Sequence, residues 1–407
     1  MIITTRRPPF TKAGALFATA LGAVTLIGPL AIHLFLPVMP AVKAAFAISD
    51  ALVELTFSVT LFTMAIVTLF YGSLSDRYGR RPVLLGGLAL FVLGSALSAF
   101  ASSVAILIAG RIIQAIGAGC GLTLSRAIAR DAYGPDAMVK AIAYLTMAYT
   151  LGPMIAPPLG GVLMDVLGWR AAFWFALLVG IAILIGAYIV LFETRHTGDI
   201  AGPRGPVLRH YATLLRQGRF VAYIVQSGAM SFAFFGIAAA SPLLMKDILG
   251  ESGTEYGLYF MLFPLGYMSG NWISSRLSGR AAIDDMVLLG SALAFLVLAV
   301  QAALILAGHL SPLLIFLPGG MTSFAQGLSL PNAQAGAMRV SPALAGTAAG
   351  LGVFAQMFLA AVSSELYGLM ANGTPLPMIV LTMSGMVLAL GAALAAFILG
   401  RRAAPHA

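Results

Sequence analysis

Charge is what this sequence has least of. Only 9% of its 407 residues are Asp, Glu, Lys or Arg, and 60% are hydrophobic. A water-soluble domain carries about 25% charged residues. So few charges could not cover a soluble surface of this size, and the surface is expected to face lipid. Cysteine is almost missing. The single Cys120 excludes an intramolecular disulfide, and its place between Gly119 and Gly121 in an apolar run reads as a small packing residue. Histidine is sparse, with His33, His196, His210, His309 and His406 scattered along the chain. No HExxH, GxSxG or Walker sequence occurs, and no GxGxxG follows a strand. With neither a ligand cluster nor a nucleophile set, no metal site, cofactor or catalytic residue is expected. The chain does not read as an enzyme.

What fills the chain instead is long apolar runs. A helix needs about 20 apolar residues to cross the hydrocarbon core, and it must satisfy its own backbone there. Segments that meet this test lie near 15–40, 53–74, 82–101, 103–125, 140–162, 171–192, 220–245, 256–275, 286–308, 311–331, 343–365 and 376–399. The first is too long for a secretory signal, whose apolar region runs roughly 7–15 residues, so it reads as a retained span. The third and fourth are joined by a very short turn.

The basic residues orient these spans. With the N-terminus inside, nineteen Lys and Arg fall in cytoplasmic segments, while the outer loops hold only Lys43, Arg170 and Lys246. Arg111 lies within a span. This split explains the net charge of +9 without nucleic acid as a partner. The longest polar stretch follows the sixth span, and Arg77–Arg81 after the second span is echoed by Arg276–Arg280 after the eighth. The expected fold is an all-α membrane protein, with twelve transmembrane helices in two pseudo-symmetric six-helix halves. The halves are 1–192 and 220–407, and a cytoplasmic linker, 193–219, joins them.

The loop after the second span reads Gly72-Ser-Leu-Ser-Asp-Arg-Tyr-Gly-Arg-Arg-Pro82. It resembles the G-x-L-x-D-R-x-G-R-R/K-x signature of the major facilitator superfamily, and the resemblance covers the whole chain. Gly72 and Gly79 would allow close helix contact. Asp76 could accept hydrogen bonds from a neighbouring helix N-terminus or pair with an arginine. With Arg77, Arg80 and Arg81 they form a candidate conformational latch between the halves. In the fifth span Leu151-Gly-Pro-Met-Ile-Ala-Pro-Pro-Leu-Gly-Gly161 is similar to the antiporter motif of bicyclomycin- and chloramphenicol-type drug:proton antiporters. Pro153, Pro157, Gly160 and Gly161 imply a bent helix packed tightly between the halves.

In the fourth span Arg111 and Gln114 match the family's R-x-x-Q-G, with Ala115 where glycine is usual. A charge at this depth marks a functional position by default. The first span carries Leu36-Pro-Val-Met-Pro40, similar to the subfamily's D-x-Y-L-P-x-x-P, but His33 stands at the acidic position and Phe35 at the aromatic one. Imidazole can take and lose a proton, so His33, Arg111, Gln114 and Glu365 are the candidates for substrate and proton coupling. Arg126, Arg130 and Asp131 read as gate or helix-end charges.

The resemblance implies proton-coupled efflux of a small organic molecule or drug by alternating access. The alternative is a carrier, importing or exporting an anionic metabolite or siderophore. The expected partners are that substrate, protons and the lipid bilayer, with a monomer in the inner membrane and both termini cytoplasmic. Reporter fusions check the topology. A fusion at Gly198 and one at the C-terminus should report cytoplasm, and one at Lys43 periplasm. A periplasmic signal from Gly198 would end the six-plus-six scheme.

Overall fold

The computed structural model describes residues 12–133, 135–195 and 207–403. Arg6, Arg7, Arg204, His196, His406 and the glycine- and proline-rich part of the linker, 196–206, Gly198 included, lie outside these residues. Eleven helices among the described residues are long and apolar enough to cross a membrane. In chain order they are Gly14–Phe46, Asp50–Tyr78, Arg80–Ala99, Val104–Ala132, Lys140–Leu167, Arg170–Val190, Gly218–Ile248, Ile283–Leu306, Pro312–Val340, Ala345–Met370 and Leu376–Arg402. The remaining expected span, the eighth, is two helices, Gly253–Phe260 and Leu262–Leu277, that meet at Met261. Pro264 explains the break, because it has no N–H for the Phe260 carbonyl. The two pieces together run the length of a span. Among the described residues there is no β-strand, only one isolated bridge between Ser278 and Ala281.

Prolines interrupt several spans, and side chains serve some of the carbonyls they strand. Pro242 cannot donate to the Ala238 carbonyl, and the Ser241 hydroxyl donates to it instead at 3.3 Å. Pro318 leaves the Leu314 carbonyl free, and the Gln301 amide of the ninth span donates to it at 2.8 Å. The first span is helical over Ile27–His33, tightens to a 3₁₀ turn at Leu36–Val38 and resumes at Met39–Phe46. Pro37 removes the donor for the His33 carbonyl at that point.

Helices in lipid gain little from apolar contact alone, so close backbone approach through small residues holds them together. The third and fourth spans show this. A Cβ on Gly94 would run into the backbone of Gln114, and one on Gly117 into the backbone of Phe91. Between the first six and the last six spans, the second packs along the eleventh and the fifth along the eighth. These contacts taper. On the second span burial is dense from Val53 to Ala65 and then recurs only at Tyr71 and Ser75. On the eleventh it is dense from Ala360 to Gly368 and otherwise limited to Ala348 and Gly352. The two sets of spans therefore meet at the end that carries Lys43 and diverge toward the end that carries Arg80.

Candidate functional site

Polar contacts that cross between the two sets of spans gather at the closed end. Lys43 of the first span lies 2.6 Å from Asp50 and 2.8 Å from Asp247 of the seventh. Asp165 at the end of the fifth span accepts from the Thr254 N–H at 2.7 Å and from its hydroxyl at 2.6 Å. It thereby places a carboxylate on the positive N-terminus of the eighth. Beside them a cavity of about 190 Å³ is lined by Pro37, Pro40, Met164, Pro242, Asp247 and Tyr256, among others.

The glycines of the fifth-span motif sit just inside this end. A Cβ on Gly161 would strike the Gly253 carbonyl, and one on Gly257 would meet the backbone of Pro157 and Pro158 at 2.5–2.8 Å. One on Gly160 would lie 2.6 Å from the Leu34 carbonyl of the first span. The helix holding Pro153, Pro157 and Pro158 runs unbroken over Pro135–Leu167.

His33 is 8% exposed, its Nδ1 has no partner among the described residues, and its ring lies 5.8 Å from that of Phe260 on the eighth span. It therefore faces the same interface. Glu365 accepts from the Ser58 hydroxyl of the second span at 2.6 Å. The sequence reading missed its counterpart. Glu54 is fully buried and accepts from the Ser364 hydroxyl at 2.6 Å. Glu54 stands one turn after Asp50, near the start of its span. Only the packing of the second span on the eleventh reveals it.

Arg111 is placed elsewhere, within the first six spans. Its Nη1 donates to the Ala31 carbonyl at 2.8 Å and to Gln114 Oε1 at 2.7 Å, and its Nε to the Thr56 carbonyl at 3.3 Å. The guanidinium lies 4.5 Å from the Phe35 ring centre, a cation–π stack. Gln114 in turn donates to Ser95 at 2.9 Å. The void beside them is about 10 Å³, far below the size of an organic molecule. Arg111 thus ties the first, second and fourth spans to one another, and Nη2 alone lacks a partner among the described residues. Arg126 and Arg130 of that span are exposed, and Arg126 is within electrostatic reach of Tyr149 on the fifth span and Tyr267 on the eighth.

At the open end the loop signature is a cluster inside the first six spans. Arg80 pairs with Asp76 at 2.5 Å and with Asp131 at 2.9 Å. Glu193, after the sixth span, accepts from the backbone N–H of Arg80 and of Arg81 at 2.9 and 3.1 Å and so caps the third. Arg81 donates to the Leu191 carbonyl, and Arg195 to that of Arg77. Gly79 has a φ of +100°, and a Cβ there would crowd Glu193. One reading needs correction. Gly72 makes no close helix contact, since a Cβ there would meet nothing within 4 Å. Asp76 is largely exposed, and its ion pair stays within its own set of spans. The reason is the divergence of the two sets at this end.

Solved transporters share this architecture. A bacterial homologue of the human lysosomal transporter Spinster, inward-facing and unoccupied, superposes with a TM-score of 0.75 at 16% identity, covering 97% of this chain and 98% of that one. A D-xylose–proton symporter gives 0.74 at 15% identity, covering 95% and 98%. At such identities the likeness speaks for the fold. Residues 21–364 match the family model described as Major Facilitator Superfamily. The chain belongs to the Major Facilitator Superfamily. Among relatives within that superfamily, Multidrug resistance protein D of Escherichia coli (strain K12) is 29% identical over 80% of this chain and 81% of its own. Multidrug resistance protein MdtL of Escherichia coli O81 (strain ED1a) is 31% identical over 59% and 61%. The uncharacterized MFS-type transporter YdgK of Bacillus subtilis (strain 168) is 30% identical over 67% and 68%. This major facilitator protein is a multi-pass membrane transporter and not an enzyme.

The Arg111 network yields a test. Arg111→Ala leaves the Gln114 and Ala31 oxygens without this donor, and each buried unmet acceptor costs about 1–3 kcal/mol. Thermal unfolding in detergent should begin several degrees earlier, and Arg111→Lys should recover little, because an ammonium lacks the planar fork. An unchanged unfolding temperature in the alanine variant would refute this bracing role.

Proposed function

We propose that this transporter exports a small organic molecule in exchange for protons by alternating access. The observation that carries the reading is the tapered interface. It is closed at the Lys43 end by Lys43–Asp247 and Asp165–Thr254, and it diverges at the Arg80 end. The excess of basic residues at the Arg80 end supports a cytoplasmic position for that end, which would make this an inward-facing state. The glycine contacts of Gly161 and Gly257 act as the bearing on which the halves rock. The multidrug resistance proteins among the relatives support an organic, chemically varied cargo. His33, Glu54 and Glu365 face the interface and supply groups that can take a proton. Arg111 and Gln114 act by holding the first span, and with it His33, in place.

A second reading, transport of an anionic metabolite, draws on Arg126 facing Tyr149 and Tyr267, and on the absence of an acidic group at position 33. Everted vesicles with an acid interior decide the main question. A panel of cationic and anionic compounds should show uptake of at least one that collapses when an ionophore removes the gradient. Uptake indifferent to the gradient across the panel would end the antiport reading, and accumulation of anions alone would favour the second.

The loop latch belongs to the opposite state. Ser58 meets Glu365 and Phe62 lies 5.5 Å from Phe358, ring to ring. Carried along the antiparallel pair, that register sets Gly72 opposite Ala348, and Asp76 opposite Leu344 at the start of the eleventh span. Closing the cytoplasmic end would bring Asp76 onto that helix N-terminus. Asp76→Asn should therefore reach the membrane in normal amount yet transport poorly, with its population shifted toward the inward-facing state. Normal transport by this variant would refute the latch.

A further inference from the structure

The second and eleventh spans exchange hydrogen bonds through two carboxyl groups. Ser58 of the second donates to Glu365 of the eleventh, and Ser364 of the eleventh donates to Glu54 of the second, both at 2.6 Å. Glu54 is wholly buried, and its Oε1 has no partner among the described residues. It is pressed against the eleventh span so closely that a Cβ on Gly368 would come within 2.6 Å of its own Cβ. Glu365 is half-buried.

The surroundings offer little to hold two negative charges. Asp50 on the same helix and Glu365 across the interface are further carboxyl groups within electrostatic reach of Glu54. Tyr256 of the eighth span and Tyr367 of the eleventh are the other titratable groups within electrostatic reach of Glu54, and Asp247 of the seventh bears on Tyr367. The nearby cation, Lys43, pairs with Asp50 and Asp247. Among the described residues no ion pair involves Glu54 or Glu365. An ionised carboxylate buried with one hydroxyl donor is strongly disfavoured, and two facing each other more so.

We propose that Glu54 and Glu365 form the proton-binding site of this transporter and that the closed outer interface requires the pair to hold a proton. This assignment rests on the proton-exchange reading above. In the outward-open state the helices part and the carboxylates are wetted. A carboxylate oxygen takes a proton from external water and becomes a neutral acid. The serine contacts can then form, and the interface closes over the pair. Glu365, which keeps partial exposure, is the group through which the proton leaves. The direction of the linkage follows. Closure binds a proton, so it is favoured at low pH and lost as pH rises and the pair becomes doubly negative.

Two measurements test the assignment, and neither needs the natural substrate identified beyond a compound found by the vesicle panel. Nitroxides at Ala45 and Ile248, both exposed at the closed end, report its width by pulsed dipolar spectroscopy in a Cys120→Ala background. The wild-type separation should lengthen as pH is raised. In Glu54→Gln and in Glu365→Gln it should stay short at every pH, because the amide is a permanently neutral isostere. In vesicles the same variants should keep exchange of the transported compound yet lose its gradient-driven accumulation. Variants that open with pH as the wild type does would overturn the proposal. So would gradient-driven accumulation that persists in both glutamine variants and disappears in His33→Gln. If the wild type shows no gradient-driven transport of any compound, proton exchange itself falls. The spectroscopic result would then still judge whether the pair governs closure.

Discussion

The proposed rocking of this protein turns on a contact between backbones. Where Gly161 of the fifth span meets Gly253 of the eighth, no side chain stands between the two halves, and Gly257 repeats the approach against Pro157 and Pro158. Surfaces that touch without interlocking side chains can tilt across one another. Interdigitated leucines would have to unpack first. The charged and hydrogen-bonded groups that cross the closed end, Lys43, Asp165, Glu54 and Glu365, are arranged around that contact. They can be strong because the bearing itself is weakly committed.

A rocking mechanism also needs rigid bodies on either side. The third and fourth spans are locked by Gly94 and Gly117, and Arg111 stitches the first, second and fourth through two carbonyls and a stacked ring. At the Arg80 end Glu193 draws the chain after the sixth span onto the start of the third. A cation at mid-membrane, read from sequence as a group for the substrate, is thus mainly a brace. Its desolvation is offset by fixed carbonyl dipoles, and a brace of that kind keeps its shape while the interface changes.

The fold was largely legible, because lipid imposes a crude rule. Apolar runs of sufficient length located the spans. The eighth span was the exception to continuity, read as one segment but broken at Met261 before Pro264. The site was legible in part. Gly160 and Gly161 announced a close approach, but their contacts, the Leu34 carbonyl and Gly253, depend on how distant segments pack. Glu54 was hidden by its position near a helix end, since depth in a protein interior differs from depth in a membrane. Gly72 misled for a related reason. A motif records contacts made over a whole cycle, and one conformation displays only some of them.

The carbonyls stranded by proline carry a lesson about substitution history. Gln301 serves the carbonyl that Pro318 abandons, although the two residues sit on different spans. Leucine at 301 would be damaging while proline remains at 318, yet harmless once an ordinary residue restores the missing N–H. Proline at 318 would in turn be costly without the glutamine. The two positions can therefore drift only in a fixed order. A chain that has taken the proline is held to its glutamine by the hydrocarbon around it.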